Sequence, residues 1–309
     1  MKKISIVIPT FNEQDNILDL LESVKKQFIN SNYDYEIIVI DNSSTDNTIN
    51  ILRHAAQNDK RIKVIINIKN FGHIRSHVYG LFQSSGDATI FMMADFQDPP
   101  ELIPQYIKLW ESGNAVVFGQ KIKSKEFFLM RWVRNLFYTT MSKISKSSLT
   151  KNTTGSGIYD RKIIDKLRKI QDPYPYLRGL VTEITSEIKL LQFNQPQRRF
   201  GVSKNNIFTL LDMALAGLIK HSNYPIRILV ILGIVGSFLS IFLSIIFFVY
   251  KLLFWESFPV GIAPLVIGFF AFASFQFLFL GIIGEYISMI LSHTRNIPLV
   301  YEKERINFD

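Results

Sequence analysis

The chain has 309 residues, of which 48% are hydrophobic, no cysteine, and a formal net charge of +9 at pH 7. This length allows one large domain with an additional segment, and the lack of cysteine excludes disulfides, thiolate metal sites and thiol nucleophiles. Residues 119–151 carry eight basic residues and one acidic residue, whereas the counts cancel after residue 225. Such a basic region is either a solvated surface or a site for nucleic acid, anionic lipid or a phosphate-bearing substrate.

Short apolar runs alternate with helical patterns through the first hundred residues. The predicted strands are residues 4–9, 35–41, 62–68 and 88–95. The segments between them have apolar residues at helical spacing or begin with turn residues that favour a helix start. Strands that alternate with helices indicate an α/β fold with a parallel sheet. We therefore expect a ligand beyond the carboxyl ends of the strands.

Three of the predicted strands end in residues suited to such a site, namely Pro9, Asp41 and Asp95. Asp95 and Gln97 supply oxygen ligands of the kind that Mg²⁺ or Mn²⁺ prefers, and Asp41 is expected to accept hydrogen bonds from a base or a ribose. A turn cap is the alternative role for Asp95. The glycine-rich phosphate loops of dinucleotide-binding and P-loop proteins are absent, so a metal and basic side chains would have to balance phosphate charge.

The C-terminal third contains two uncharged runs, residues 228–250 and 257–284. Each is long enough to span a bilayer, which takes about 20 helical residues, and the short connection predicts a transmembrane hairpin. More Lys and Arg residues flank the hairpin than lie in its loop, so both chain ends are predicted to be cytoplasmic. The start of the chain lacks the long apolar region of a signal peptide. The predicted location is the inner (cytoplasmic) membrane, as a multi-pass protein.

The predicted organisation has four parts. Residues 1–206 form a cytoplasmic catalytic domain, residues 207–225 a juxtamembrane amphipathic helix, residues 226–292 the two transmembrane helices, and residues 293–309 a cytoplasmic tail. The basic region mixes aromatic and cationic residues around Arg131 and is predicted to form another helix on the anionic leaflet. For both amphipathic helices, packing within the protein core is the alternative.

An ordered set of motifs indicates a family. The motifs are "IPTFNE", "VIDNSSTDNT", "NFGH", "GDATIFMMADFQDPPELI", "YLRGL" and "GVSKN", followed by the hairpin and the closing motif "LGIIGEYISMI…NIPLVY". This order resembles the polyisoprenyl-phosphate glycosyltransferases of glycosyltransferase family two, over almost the whole chain. The resemblance implies a GT-A (Rossmann-like, mostly parallel) domain, a nucleotide-diphosphate sugar donor with UDP favoured, and a polyprenyl phosphate acceptor such as undecaprenyl phosphate. It also implies Mg²⁺ or Mn²⁺, and no nucleic acid partner.

The resemblance further implies roles for individual residues. Nucleotide-sugar contacts are expected from Pro9, Phe11, Glu13, Asp41, Asn70 and Gly72. Metal binding is expected from Asp95 and Gln97, and catalysis from Asp95, Lys121 and Arg131. Lipid-phosphate contacts are expected from Arg131, Ser203 and Lys204.

The chain departs from the family pattern at four places. Met93 stands at the first aspartate of the metal motif, Asn42 at the second acid of an Asp-Asp pair, and Lys121 where many members have arginine. Small residues occupy the segment "TTGSGIYDRK" where several members carry an aspartate, and Asp160 lies further on. We therefore expect Asp95 to dominate metal binding and assign no catalytic base.

A missing base is compatible with a phosphate acceptor, because the second pKa of a phosphate monoester is about 6 and the nucleophile is already anionic. The predicted function is thus inverting transfer of a single sugar to a lipid phosphate. One alternative is a processive polysaccharide synthase, although its Q-x-x-R-W segment and additional spans are missing. The other is a non-catalytic membrane module that binds sugar nucleotides. The sequence leaves the sugar and the oligomeric state open, with a homo-oligomer as one option.

Overall fold

A computed structural model of the chain describes residues 1–122, 153–170, 172–196, 224–254, 262–295 and 297–308. It divides into two compact units, one formed by Met1–Asn206 with Asn296–Asp309 and the other by Ile207–Arg295. Arg131, Ser203, Lys204, the basic amphipathic segment and almost all of the predicted helix at residues 207–225 lie outside the described residues.

The first unit alternates strands and helices, as predicted. Its elements are β1 (Lys3–Thr10), α1 (Ile17–Lys26), β2 (Asp34–Asp41), α2 (Thr48–Asn58), β3 (Ile62–Asn67), α3 (His73–Gln83), β4 (Ala88–Phe91), a 3-10 turn (Pro100–Leu102), α4 (Ile103–Glu111), β5 (Val116–Lys121), β6 (Thr153–Asp160), α5 (Arg161–Arg168), α6 (Leu177–Ile184), β7 (Lys189–Phe193) and β8 (Glu302–Ile306).

These strands form one sheet in the order β7-β5-β6-β4-β1-β2-β3-β8. Strand β1 lies between β2 and β4 and is parallel to both, and β3 continues the parallel arrangement beside β2. The α/β class with a mostly parallel sheet is confirmed. Strand β6 is antiparallel to β4 and β5, and β8 is antiparallel to β3. The sequence analysis did not predict these two antiparallel strands.

The sheet is buried on both faces, which explains why β1 and β2 read as nearly continuous runs of Ile and Val. Ile6 and Val39 belong to one hydrophobic cluster, which also contains residues of α1 and α4. Val7 and Ile38 point into a second cluster with residues of α3 and α5. Alternate residues of one strand thus contribute to opposite layers.

Residues after the second apolar run return to the first unit. Strand β8 pairs with β3 from Val64 opposite Ile306, and it covers what would otherwise be an exposed sheet edge. Arg53 Nη2 donates to Glu304 Oε2 at 2.6 Å, and Tyr79 OH donates to Glu302 Oε1 at 2.8 Å. The segment predicted as a tail is therefore part of the sheet.

The second unit contains two long helices, α7 (Tyr224–Leu253) and α8 (Ile262–Thr294), which coincide with the two uncharged runs. Many of their large apolar side chains are exposed, including Phe238 and Phe277 at 71% and 74%. No helix among the residues that the structure describes is identified as a membrane span. The predicted transmembrane hairpin is not confirmed.

A buried carboxylate, Glu36, lies near the start of β2, at the end opposite to the carboxyl ends of the parallel strands. Glu36 accepts hydrogen bonds from Ser5 Oγ at 2.6 Å and Ser85 N at 2.8 Å, and it pairs with Lys3 Nζ at 3.0 Å and Lys63 Nζ at 2.9 Å. Burial alone raises the pKa of Glu36, but these donors outweigh it and lower the pKa to about 2. The cluster joins β1, β2, β3 and the start of β4.

We predict that Glu36→Gln lowers the free energy of unfolding by about 3 kcal/mol at pH 7, since both lysines lose a buried partner. Because the folded-state pKa is depressed, the stabilisation by Glu36 is present above the unfolded value of 4.5 and is lost as pH falls toward 2. Urea unfolding followed by tryptophan fluorescence across this range would measure both effects. The control is Glu22→Gln, which removes an exposed partner of Lys25. An unchanged acid dependence in Glu36→Gln would contradict the prediction.

Candidate functional site

The carboxyl ends of β1, β2 and β4 lie side by side at one edge of the sheet. Thr10 is opposite Asp41, and Val7 is opposite Phe91. Met92 N then donates to Val7 O at 3.1 Å, which carries the pairing one residue beyond β4. The predicted meeting of polar turns at this edge is therefore observed.

The turns that follow β1 and β2 are joined by hydrogen bonds. Asn12 N donates to Ser44 Oγ at 2.8 Å, Thr45 N to Asn12 Oδ1 at 2.8 Å, and Glu13 N to Thr48 Oγ1 at 2.9 Å. This network holds residues 9–13 against the β2 turn. Pro9, Phe11 and Glu13 are thus at the expected edge, and their contacts with a nucleotide remain predictions.

Asp41 is completely buried and organises its own turn. Its carboxylate accepts from Ser44 N at 2.8 Å, Ser44 Oγ at 2.5 Å and Thr10 Oγ1 at 3.2 Å. Burial raises the pKa of Asp41, and the hydrogen bonds from Ser44 and Thr10 only partly oppose this rise. In this conformation the carboxylate braces the β2 tip, and its predicted contact with a base stays a prediction.

Asn42 joins the β2 tip to the turn after β3. Its Nδ2 donates to Asn70 Oδ1 at 2.7 Å, and its Oδ1 accepts from Phe71 N at 2.9 Å. The same oxygen accepts from Ser76 Oγ at 2.9 Å and from Asn67 Nδ2 at 3.1 Å. An aspartate could accept but not donate here, so the asparagine supplies the bond to Asn70.

The turn formed by Asn70, Phe71 and Gly72 precedes α3. Gly72 has a φ of 82°, in the left-handed region that favours glycine, and Gly72 N donates to Asn70 Oδ1 at 2.8 Å. Asn70 and Gly72 are therefore placed beside the β2 tip, where a donor pocket was expected.

The loop after β4 carries two buried carboxylates, Asp95 and Asp98, which are 5% and 6% exposed. Asp95 Oδ1 accepts from Gln97 N at 3.1 Å, and Phe96 between them has a φ of 60°. Gln97 is half-buried on the same turn. Asp95 and Gln97 are thus close in the chain and joined by this bond.

Asp98 connects the loop to β6. Its Oδ2 accepts from Met93 N at 3.2 Å and from Ser156 Oγ through a short hydrogen bond, whereas its Oδ1 is buried without a hydrogen-bond partner. Burial raises the pKa of Asp98 most strongly, and the charge of Asp95 adds to the rise. The Ser156 and Met93 bonds and the charge of Lys121 oppose it, which places Lys121 in the same electrostatic site.

The first five residues of β6, Thr153 to Gly157, include no carboxylate. Ser156 donates to Asp98 instead, and Arg178 Nη1 donates to Thr153 O at 2.6 Å. Asp160 has a structural role, since it caps α5 through Lys162 N and accepts from Trp110 Nε1 at 2.8 Å. No catalytic base is assigned in this segment.

The arrangement suits a divalent cation whose remaining ligands come from the substrate. No group of three or more His, Cys, Asp or Glu side chains suited to a metal occurs in the part of the chain that the structure describes. Two buried carboxylates remain close enough to influence each other, and one oxygen of Asp98 has no donor. Mg²⁺ is commonly held by one or two carboxylates together with substrate phosphates, and this donor set suits such binding.

Sequence reasoning missed two residues of this edge. Asp98 follows Gln97 in the quoted motif, but the bond to Ser156 joins residues 58 apart in the chain. Arg178 belongs to "YLRGL", and only its contact with Thr153 places it beside the β6 segment. The quoted motifs contained both residues, although the residue types alone assigned neither a role.

Comparison with known proteins identifies the family and agrees with this fold. Residues 5–168 match the family described as glycosyl transferase family 2. The chain is 30% identical over 296 residues to a Bacillus subtilis protein named "Uncharacterized glycosyltransferase YkcC", covering 96% of this chain and 91% of that one. It is 27% identical to the "SfII prophage-derived bactoprenol glucosyl transferase" of Shigella flexneri, covering 96% of each chain.

A solved structure shares the fold of the first unit. Glucosyl-3-phosphoglycerate synthase from Mycobacterium tuberculosis, in complex with Mn²⁺, UDP and glucosyl-3-phosphoglycerate, matches with a TM-score of 0.52 and 18% identity. The match covers 72% of this chain and 80% of that chain. This likeness supports the predicted GT-A fold. Together with the family match and the near full-length relatives, it identifies the chain as a glycosyltransferase of glycosyl transferase family 2.

Proposed function

We propose that this glycosyltransferase moves one sugar from a nucleotide-diphosphate sugar to a polyprenyl phosphate, with inversion at the anomeric carbon. The observation that carries the proposal is the pair of buried carboxylates, Asp95 and Asp98, at the tip of β4. They lie beside a β6 segment that offers Ser156 in place of a carboxylate base. A site of this kind can bind a metal-bound diphosphate but is poorly suited to deprotonating a sugar hydroxyl.

The nucleotide-sugar donor is proposed to bind at the edge formed by β1, β2 and β4. Pro9, Phe11, Glu13 and Asp41 would border the nucleotide, and the Asn70–Gly72 turn would border the sugar. The favoured donor is a UDP-sugar, since UDP is bound by the Mycobacterium tuberculosis synthase. Glucose is the first sugar to test, because relatives are named bactoprenol glucosyl transferases.

The proposed acceptor is supported by the negative charge of a lipid phosphate. A lipid phosphate is an anion even in mild acid, becomes a dianion above a pH of about 6, and needs no general base. Its oxygen would attack the anomeric carbon while the bond from that carbon to the nucleoside diphosphate breaks, giving a β-linked product from an α-linked donor. Lys121, Arg131, Ser203 and Lys204 would hold the two anions close together despite their repulsion. The bactoprenol in the names of the relatives supports this class of acceptor.

Asp95 and Gln97 would hold Mg²⁺ or Mn²⁺, with Asp98 supporting the loop. A bound divalent ion supplies charge stabilisation for the departing diphosphate. Asp95 keeps a buried, negatively charged oxygen at the β4 tip, and its bond from Gln97 N fixes the turn that presents both side chains. Asp98 ties this turn to β6 and so keeps water and sugar from displacing it.

A membrane location completes the proposal. Helices α7 and α8 expose large apolar side chains along their length, as expected of helices that face lipid. We propose that they form the predicted inner-membrane hairpin, that residues 1–206 are cytoplasmic, and that the basic region and residues 207–225 lie on the anionic leaflet. This arrangement would give the site access to a lipid phosphate.

We predict that Asp95→Ala reduces transfer by on the order of a hundredfold or more, because the charge that holds the metal is lost. Transfer from UDP-[¹⁴C]glucose to undecaprenyl phosphate would be measured with Mn²⁺, alongside Mn²⁺ binding by electron paramagnetic resonance. Asp34→Ala, at the exposed start of β2, is the matched control and should behave as wild type.

Near wild-type turnover in Asp95→Ala would refute the metal assignment. In wild-type enzyme, a lipid-linked monosaccharide supports the proposed function, and polymer would indicate a processive synthase. No product from any nucleotide sugar would favour a non-catalytic module.

We predict that Lys204→Ala raises the KM for undecaprenyl phosphate roughly tenfold and changes the KM for the donor less, since one cation facing the lipid phosphate is removed. Lys169→Ala, an exposed lysine after α5, is the control. Steady-state kinetics with varied acceptor in mixed micelles would measure the difference. Equal acceptor KM values for Lys204→Ala and wild type would exclude a phosphate role for Lys204.

A further inference from the structure

The Asn70–Gly72 turn is supported from two directions. Asn42 holds it from the β2 side through Asn70 Oδ1 and Phe71 N. On its other side the turn meets Arg75, in the first turn of α3, and residues 297–301 of the C-terminal segment. No motif in the sequence analysis assigned a role to Arg75 or to this segment.

The guanidinium of Arg75 joins three separate segments. Its Cζ lies 5.4 Å from the ring centroid of Phe71 and 5.5 Å from that of Tyr174. Its Nη2 donates to Pro298 O at 2.6 Å. Arginine stacks on aromatic rings while its planar group donates at the edge, and this geometry uses both properties.

No carboxylate among the described residues pairs with Arg75, and its buried Nε has no hydrogen-bond partner. Two rings and one backbone carbonyl therefore set its position. The Arg75 side chain is half-buried, and its contacts come from three separate parts of the chain. The arrangement indicates that the residue holds its neighbours in place.

The C-terminal segment completes the enclosure of Phe71. The Tyr301 ring lies 6.1 Å from the Phe71 ring, and Tyr301 O accepts from Ile68 N at 2.9 Å. Lys69 Nζ lies 5.3 Å from the Phe71 ring centroid. Phe71 is thus the central residue of the turn, and its contacts come from α3 and from residues more than 200 positions later.

We propose that Arg75 is a positioning residue of the donor site, and that residues 297–301 support the same turn. Arg75 stacks on Phe71 and donates to Pro298 O, and Phe71 in turn lies beside Tyr301. These contacts keep Asn70 and Gly72 in register with Asn42 at the β2 tip. The inference rests on the proposed function, because it takes this turn to border the nucleotide sugar. It assigns a role in donor binding to a segment at the opposite end of the chain.

The test measures binding of UDP and of UDP-glucose to the full-length protein by calorimetry with Mn²⁺. Arg75→Ala should weaken UDP-glucose binding by roughly tenfold to a hundredfold, since small displacements of positioning groups have effects of this size. Arg75→Lys keeps the charge but lacks the planar fork, so its affinity should be intermediate. Tyr301→Leu should weaken binding in the same direction without altering Arg75.

Arg53→Ala is the matched control. Arg53 binds Glu304 on β8 at 2.6 Å and so ties the same C-terminal segment to α2, away from the turn. The Arg53→Ala variant should lower the thermal unfolding temperature about as much as Arg75→Ala does, but it should leave the affinity for UDP-glucose unchanged. A merely structural role for Arg75 would affect both variants alike.

Wild-type affinity in Arg75→Ala, or an equal loss in Arg53→Ala, would overturn the inference. If Arg75→Ala does not fold, Tyr301→Leu gives the decision: a loss of affinity supports the inference and an unchanged affinity refutes it. Binding of neither UDP nor GDP to the wild-type protein would instead refute the proposed function. Failure of the proposed function can thus be told apart from failure of the inference, because the variants are compared only after wild-type binding has been measured.

Discussion

The parallel pairing of β1 with both β2 and β4 is the constraint on which the site depends. Parallel neighbours end at the same edge of a sheet, and the register sets Thr10 beside Asp41 and Val7 beside Phe91. Each strand is buried on both faces, so a shift by one residue would turn apolar side chains to the wrong layer. Packing of the core therefore fixes the positions of the polar turns, and those turns can be specialised without destabilising the sheet.

The departures from the family pattern share one consequence. Met93 offers its backbone N–H to Asp98, Ser156 offers its hydroxyl to the same carboxylate, and Asn42 joins the β2 tip to the Asn70–Gly72 turn. These bonds orient Asp98 and fix the Asn70–Gly72 turn without additional negative charge from Met93, Ser156 or Asn42.

Three buried carboxylates illustrate how environment decides charge. Glu36 receives two lysines and three hydroxyl or backbone donors, and its pKa falls to about 2. Burial dominates at Asp41 and Asp98, whose pKa values rise despite several hydrogen bonds. The first group stabilises the fold as a fixed anion. The other two lie at the functional edge, where a cation or a ligand donor can lower the cost of their charge.

Local sequence patterns were sufficient to predict the four parallel strands β1 to β4, because these strands and their crossover helices follow one another closely in the chain. Strands β5 to β8 were not predicted. The same patterns identified Asp41 and Asp95, which stand directly after apolar runs, whereas the Asn70–Gly72 turn came from the resemblance. Residue chemistry suggested the metal role of Asp95 and the base or ribose contact of Asp41, and the lipid contacts came only from the resemblance. All of these contacts remain part of the proposal.

Tertiary structure alone decided the antiparallel strands and the cross-connections. Strand β8 has the charged sequence "EKERI" and pairs with β3 only because a distant edge is open to it. Likewise, the partners of Asp98 and of Arg75 lie 58 and 223 positions away. Hydrogen bonds between residues so far apart in the chain depend on how the layers pack, rather than on secondary-structure propensity or hydrophobic periodicity. The chain by itself thus determined which residues are available for chemistry, and packing determined which of them meet.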